Sequence, residues 1–353
     1  LEILKINIIN IFQKKPVNKM PKKKIKKPKK DKKIKTPKDK KIKTPKNKKT
    51  VTAPLKLVNK NTYTPEEKVE IKINAIKNLK IFFYAGLPQS HNCFEKLKAE
   101  KRKALVVFIT AGDPDLEQTK SILDVIDDSG ADIIELGVPF SDPLADGSII
   151  QAASLRSLKS GTTLKKIISL VKEIRRTRNL PIILMTSFNP VFVYGEQQFV
   201  KDAVSVGVDG VIIPDLPPEE ADKFSVCAEE SGLDLIHLLA PTSPNERIEM
   251  VAKKGRGFIY YISLTGTTGV RAKLADDLGD KVASIKQISD IPVLIGFGIS
   301  SPDLAREATK FSDGVIVGSA VVKLIESNSE PIERNKKLAE FITSIKQAIS
   351  NPC

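Results

Sequence analysis

Glu135 lies in the apolar run Ile133-Ile134-Glu135-Leu136, and Asp146 stands in the loop that follows, Ser141-Asp142-Pro143-Leu144-Ala145-Asp146-Gly147. The run has the content of a buried strand, in which alternation turns Glu135 away from the side that Ile134 takes. A carboxylate among apolar neighbours is costly unless it is paired or used. Burial and a like charge nearby both favour the neutral acid, which then keeps its proton to a higher pH. Such a group can first give a proton and then take one. A second reading, a strand-end acid held in a salt bridge, stays open on these residues alone. Asp142 has a plainer task, capping the turn before Pro143. The chain has two histidines, His91 and His237, and neither stands beside a nucleophile motif. Acid–base work therefore falls to carboxylates rather than to a Ser–His or Cys–His pair. His237 sits in an apolar run and reads as a core or strand-end residue; Cys227, beside Val226 and Ala228, reads as helix packing.

The last third of the chain carries three glycine-containing turns, Gly266-Thr267-Thr268-Gly269, Gly296-Phe297-Gly298 and Val317-Gly318-Ser319-Ala320. Glycine lets backbone N–H groups close on an anion, and a helix opening after Gly318 adds its dipole. Together they suit a phosphate. The plainer reading, tight turns between strands and helices, stays open for any one of them.

Holding these residues together takes a regular frame, and one begins near residue 92. Apolar, β-branched runs at 105–110, 131–136, 181–186, 208–213, 234–239, 257–262, 291–296 and 313–317 alternate with amphipathic stretches at 116–129, 162–178, 196–206, 218–231, 244–254, 274–289 and 301–311, with a last helix expected at 319–326. Eight strand–helix units in this length predict an α/β fold, a closed (β/α)8 TIM barrel. No G-x-G-x-x-G turn follows the first run, which argues against an open dinucleotide-binding sheet. Barrels carry their chemistry at the C-terminal ends of the strands. The residues there, from Ala111-Gly112-Asp113 to Gly318-Ser319, are mostly small, turn-forming or acidic.

The net charge of +16 over 353 residues suggests a nucleic-acid binder until it is divided along the chain. Residues 1–60 hold 23 lysines against Glu2, Asp31 and Asp39, a net of +20, and the remainder carries −4. The stretch Lys32-Lys33-Ile34-Lys35-Thr36-Pro37-Lys38 recurs nearly intact as Lys40-Lys41-Ile42-Lys43-Thr44-Pro45-Lys46. Such a segment repels itself and cannot bury a core. Residues 1–89 are thus expected to be a lysine-rich, disordered extension, and 90–353 the barrel domain. Met20 is a candidate start. The extension could hold nucleic acid or an anionic surface, although a charge run is usually solvated chain. Cys93, Cys227 and Cys353 lack paired spacing, which argues for a reducing compartment and against a disulfide framework or zinc site. No apolar run reaches the roughly 18 residues of a membrane span. Transit peptides are typically rich in Arg and Ser, whereas this leader is rich in Lys and Pro. Cytoplasm is expected, with a plastid as the alternative.

The segment Glu135-Leu136-Gly137-Val138-Pro139-Phe140-Ser141-Asp142-Pro143-Leu144-Ala145-Asp146-Gly147 resembles the signature of the tryptophan synthase alpha chain family. The resemblance continues through Phe108-Ile109-Thr110-Ala111-Gly112-Asp113-Pro114, Pro214-Asp215-Leu216-Pro217, Ser263-Leu264-Thr265-Gly266-Thr267-Thr268-Gly269, Gly296-Phe297-Gly298-Ile299 and Val317-Gly318-Ser319-Ala320. It covers roughly residues 92–349 and none of the leader.

The resemblance implies retro-aldol cleavage of indole-3-glycerol phosphate to indole and glyceraldehyde 3-phosphate. It places the general acid/base on Glu135 and the stabiliser of the indole N–H on Asp146. Tyr260 would lie beside the acid and Thr268 would steady Asp146 from a closing loop. Phe108 and Ile150 would line the indole slot, and Gly269, Gly298, Gly318 and Ser319 would hold the phosphate. It implies no cofactor in this subunit, with pyridoxal phosphate only in a partner beta subunit of an α2β2 complex. Asp215 would lie on a loop facing that partner. A stand-alone indole-3-glycerol phosphate lyase, sharing every catalytic residue, is the alternative. Two positions depart from the family pattern: Ser148 stands where proline is common, and Ser187 where an aromatic residue is common.

Overall fold

The β-branched runs pair as parallel strands in the computed structural model, which describes residues 89–350 apart from 144, 263–277 and 297. The chain divides into two units, Leu1–Thr62 and Tyr63–Cys353, and every described residue lies in the second. Apart from Gln89, the expected extension lies outside the described residues.

Helix α1 (Gln89–Ala99) precedes β1 (Ala104–Thr110), α2 (Leu116–Asp128) and β2 (Ile133–Gly137). Two helices, α3 (Ser148–Lys159) and α4 (Leu164–Ile174), lead to β3 (Ile182–Met185). Then come α5 (Phe188–Tyr194), α6 (Glu196–Val206), β4 (Gly210–Ile212), α7 (Asp222–Ser231), β5 (Asp234–Ile236) and β6 (Leu238–Leu239). The described part ends with α8 (Asn245–Lys254), β7 (Ile259–Ile262), α9 (Leu278–Ile288), β8 (Val293–Gly296), α10 (Pro302–Thr309), β9 (Gly314–Val317), α11 (Ser319–Ser327) and α12 (Pro331–Ser350).

The strand order is β5-β4-β3-β2-β1-β9-β8-β7-β6. Its two ends are consecutive in the chain, joined through His237, so the sheet closes on itself. The carbonyl of His237 accepts from the Tyr260 N–H at 3.1 Å and carries the pairing across the break. The expected fifth strand at 234–239 is thus β5 and β6, one strand interrupted, and the architecture is the (β/α)8 barrel. The sixth expected helix, at 274–289, is seen from Leu278 onward, and the helix expected at 218 starts at Asp222 after Pro217-Pro218.

Alternation along the strands divides the apolar residues into two layers. Val106, Ile133, Ile183, Ile212, Ile236, Phe258, Leu294 and Ile316 fill the barrel. Leu105, Val107, Ile134 and Leu136 belong to the larger core that includes the helices' apolar faces. Side chains on the helices supply several of the boundaries. Asp115 accepts from the Gln118 N–H at 2.8 Å, and Ser301 accepts from the Leu304 N–H at 3.3 Å, each capping the helix that follows.

The N-terminal end of the barrel is closed by α1. Phe94 and Leu97 join the interior cluster, and the Phe94 ring centroid lies 5.9 Å from that of Phe258. Acids at the strand starts complete this base. Asp132 accepts from the Leu105 N–H at 2.8 Å, Asp209 from the Ile182 N–H at 2.9 Å, and Asp313 from the Val293 N–H at 2.9 Å. Each carboxylate ties one strand to its neighbour and has a cation of its own: Lys346 on Asp132, Arg175 on Asp209 and Lys286 on Asp313. Helix α1 docks on the same ring. The Gln89 N–H donates to Asp209 at 2.7 Å and the Ser90 hydroxyl to Asp234 at 2.6 Å. These bonds tie α1, which lies slightly ahead of the regular sequence pattern, into the folded frame.

At the opposite end, Arg156 on α3 holds three elements together. It donates Nε and Nη2 to the two oxygens of Asp113, both at 2.8 Å, and Nη1 to Glu326 at 2.6 Å. The loop after β1, helix α3 and the end of α11 are thereby fixed to one another around the mouth of the barrel.

Candidate active site

Glu135 points into the barrel from β2, in register with Phe108 on β1 and Ile183 on β3. It is 1% exposed, and neither carboxyl oxygen has a hydrogen-bond partner among the described residues. The salt-bridge reading is set aside by this geometry. Burial first, and the charge of Asp146 second, push its carboxyl up to about 8. Asp146, half-buried in the loop between β2 and α3, is lifted by burial to about 6. Its backbone is anchored on both sides: its N–H donates to the Pro143 carbonyl at 3.0 Å, and its carbonyl accepts from Gln151 Nε2 at 2.9 Å.

Tyr260 reaches the same place from β7. Burial, then the charges of Glu135 and Asp146, hold its phenol well above its usual range. Gly296, on the neighbouring strand, makes room for it: a Cβ there would stand 2.4–2.5 Å from the Tyr260 ring and hydroxyl. Gly296 opens the turn Gly296-Phe297-Gly298, and its missing side chain seats the tyrosine. Gly137 does the same for Phe108, whose ring would lie 2.7 Å from a Cβ at that position.

One small cavity of about 40 Å3 is lined by Phe108, Glu135, Asp146, Ile150, Tyr260, Gly298, Gly318 and Ser319. The structure thus brings together eight of the ten residues singled out from sequence. Thr268 and Gly269 lie outside the described residues. Gly318 is the N-cap of α11 and has no side chain to occupy the amides behind it, and Gly298 has φ +96°. The N-terminus of α11, with its free amides and dipole, therefore borders the cavity. A larger cavity of about 190 Å3 shares Phe108, Asp146, Ile150 and Met185 with the first and continues past Thr110 and Val138 to Ser187 and Asp215. Met185 lines both and escaped the sequence reading, because a methionine ending an apolar run looks like packing.

The remaining candidates lie outside the small cavity. Asp215 accepts from the Phe188 N–H at 2.8 Å and so fixes the start of α5. His237 is buried with Nε2 unpartnered, and burial, then the charge of Lys254, lower its pKa to about 4. It is a neutral residue between β5 and β6, away from the carboxylate pair. Among the described residues no group of three or more His, Cys, Asp and Glu is arranged to hold a metal, and no helix is long and apolar enough to cross a membrane.

The profile of the tryptophan synthase alpha chain family matches residues 94–350. The chain belongs to that family. The tryptophan synthase alpha chain of Geotalea daltonii is 51% identical over 259 residues, 73% of this chain and 98% of its own. That of the cyanobacterium Trichodesmium erythraeum is 48% identical over 261 residues, 73% of this chain and 98% of its own. Among solved structures, the tryptophan synthase alpha chain of Legionella pneumophila superposes with a TM-score of 0.68 at 37% identity, covering 75% of this chain and 98% of that one. The match spans the barrel, and the spacing of Glu135, Asp146 and the glycine turns falls within it.

The Glu135 carboxyl gives a stability test that needs no substrate. The folded chain holds this proton to about pH 8, whereas an unburied glutamate releases it near 4.5. The contribution is fully present below about pH 4.5 and is lost as the pH rises through 8. Glu135→Gln has no proton to lose. Its melting temperature should gain on wild type between pH 5 and 9 by several degrees, the size expected for a few kcal/mol in a domain of this length. Parallel melting curves across that range would contradict the assignment.

Proposed function

We propose that Glu135 and Asp146 cleave indole-3-glycerol phosphate to indole and glyceraldehyde 3-phosphate by a retro-aldol reaction. The observation that supports this most directly is the separation of the two acids: at pH 7 a group titrating near 8 is protonated and one titrating near 6 is ionised. Glu135 gives its proton to indole C3, and the ring nitrogen takes up the positive charge. Asp146, as a carboxylate, accepts from that N–H and stabilises the cation. The Glu135 carboxylate then removes the proton from the side-chain hydroxyl next to the ring. The C–C bond breaks, its electrons return to the indole, and the hydroxyl carbon becomes the aldehyde. Tyr260 packs beside both acids and fixes their surroundings. Phe108 and Ile150 hold the indole, and Gly298, Gly318 and Ser319 hold the phosphate, with Thr268 and Gly269 contributed from the loop of residues 263–277. No cofactor is required in this chain; pyridoxal phosphate belongs to the partner.

That partner is read as a tryptophan synthase beta subunit. Helix α5 supports the reading: Phe192 is 63% and Val193 77% exposed, next to the mouth, on an element whose start is bonded to Asp215. Paired exposed apolar residues of this kind suit a covered face. The double variant Phe192→Asp, Val193→Ser should no longer co-elute with a beta subunit on gel filtration where the wild type does. Co-elution at unchanged affinity would move the contact elsewhere.

The acid–base assignment predicts a bell-shaped profile of kcat/KM against pH, rising near 6 as Asp146 ionises and falling near 8 as Glu135 loses its proton. Glu135→Gln should lower turnover by about 100-fold or more, the usual scale for a lost general acid. Asp146→Asn should cost a comparable factor. Retention of more than about a tenth of wild-type turnover by Glu135→Gln would remove it from the chemistry.

The phosphate end is tested separately. Gly318→Asp puts a negative charge at the N-terminus of α11, where the dipole and free amides favour an anion from the ligand. Calorimetry with glycerol 3-phosphate should show binding weakened by about tenfold or more. Unchanged affinity would place the phosphate elsewhere.

A further inference from the structure

Beyond the small cavity that holds the carboxylates, the barrel mouth contains a second space of about 190 Å3. The two meet at Phe108, Asp146, Ile150 and Met185. On the reading above, the indole is held by its pyrrole edge, with N–H on Asp146 and C3 at Glu135, while the glycerol phosphate runs toward Gly318. The benzo ring then has one direction left, through the shared wall into the second space. A benzene ring fills an apolar cavity of about 150 Å3. The space here is larger than one ring needs, and its lining includes the small side chain of Ser187. Ser187 is the N-cap of α5 but makes no side-chain cap hydrogen bond, so its hydroxyl is not committed to the helix.

We infer that this chain accepts indole-3-glycerol phosphates carrying a small apolar substituent on the benzo ring, and that Ser187 sets the depth available to it. The inference rests on the retro-aldol reading, since that reading orients the ring. A methyl group that finds unoccupied apolar space is not rejected, whereas one pressed against a filled wall loses roughly 10- to 200-fold. A phenylalanine at position 187 would supply such a wall.

The test uses the full chain and three substrates: indole-3-glycerol phosphate and its 5-methyl and 6-methyl analogues, followed by release of the aldehyde product. At least one analogue should be cleaved with kcat/KM within about fivefold of the parent, and Ser187→Phe should lower that analogue-to-parent ratio by about tenfold or more. Ser187→Leu replaces it if the phenylalanine variant fails to fold by circular dichroism. The inference is overturned if both analogues fall beyond about fivefold below the parent in the wild type, or if the ratio moves less than about fivefold in the variant. Cleavage of the parent is the control for the reading beneath it: if the parent is not cleaved, that reading fails. Calorimetry with indole and the two methylindoles then decides the inference alone. Methylindole binding within about fivefold of indole, lost in the variant, supports it, and weaker binding overturns it.

Discussion

A carboxyl group is shut inside the mouth of this barrel with no hydrogen-bond partner among the described residues, and much of the surrounding structure follows from accommodating it. An unpaired buried acid remains in place only by keeping its proton, and holding it at neutral pH costs stability whenever that proton leaves. Glu135 is held there by the sheet rather than by any bond of its own, in register between Phe108 and Ile183. Its neighbours in turn need space of a defined shape. Gly137 admits the ring of Phe108, and Gly296 admits the phenol of Tyr260. A methyl group at either glycine would push an aromatic ring that is itself buried, so these positions serve the acid at one remove.

The same residue type behaves differently at the other end of the strands. Asp132, Asp209 and Asp313 are each bonded to a strand N–H and paired with a cation. They bind adjacent strands together. Asp132, Asp209 and Asp313 at the base are bonded and paired, whereas Glu135 at the mouth has no partner among the described residues, which is the physical content of a barrel with a structural end and a chemical end. Within the mouth, unequal burial then separates two acids that would otherwise titrate alike. Glu135 is driven to about 8 and Asp146 to about 6, so at neutral pH one can donate a proton while the other carries charge.

Much of this was legible in the sequence, for reasons that can be named. The strands were legible because their runs are apolar and β-branched and the barrel buries both faces of each. Glu135 stood out as an acid within such a run. Its lack of a partner was not legible, because its neighbours Tyr260 and Ile316 come from strands far along the chain. The break at His237 was hidden too, since Leu235, Ile236, Leu238 and Leu239 read as one continuous strand. The seat that Gly296 makes for Tyr260 was hidden because a glycine between a strand and a turn looks the same whether it serves an anion or a neighbouring ring. Helix α1 had a faint signal, Phe94 and Leu97 at helical spacing. Their destination under the barrel could not be read from eleven residues of sequence.

The link between the two ends is mechanical. Arg156 fastens the loop after β1 to α3 and to α11, so the walls of the indole slot and the amides proposed for phosphate are held at fixed separation. Glu135 rides on β2, whose start is tied to β1 through Asp132 and Leu105. The acid and the two binding ends are therefore placed by elements that share bonds, while the carboxyl itself shares none. That arrangement fixes the position of a proton donor without fixing its proton. A salt bridge at Glu135 would have positioned it as well, but would have kept it ionised at neutral pH and removed the acid from the reaction.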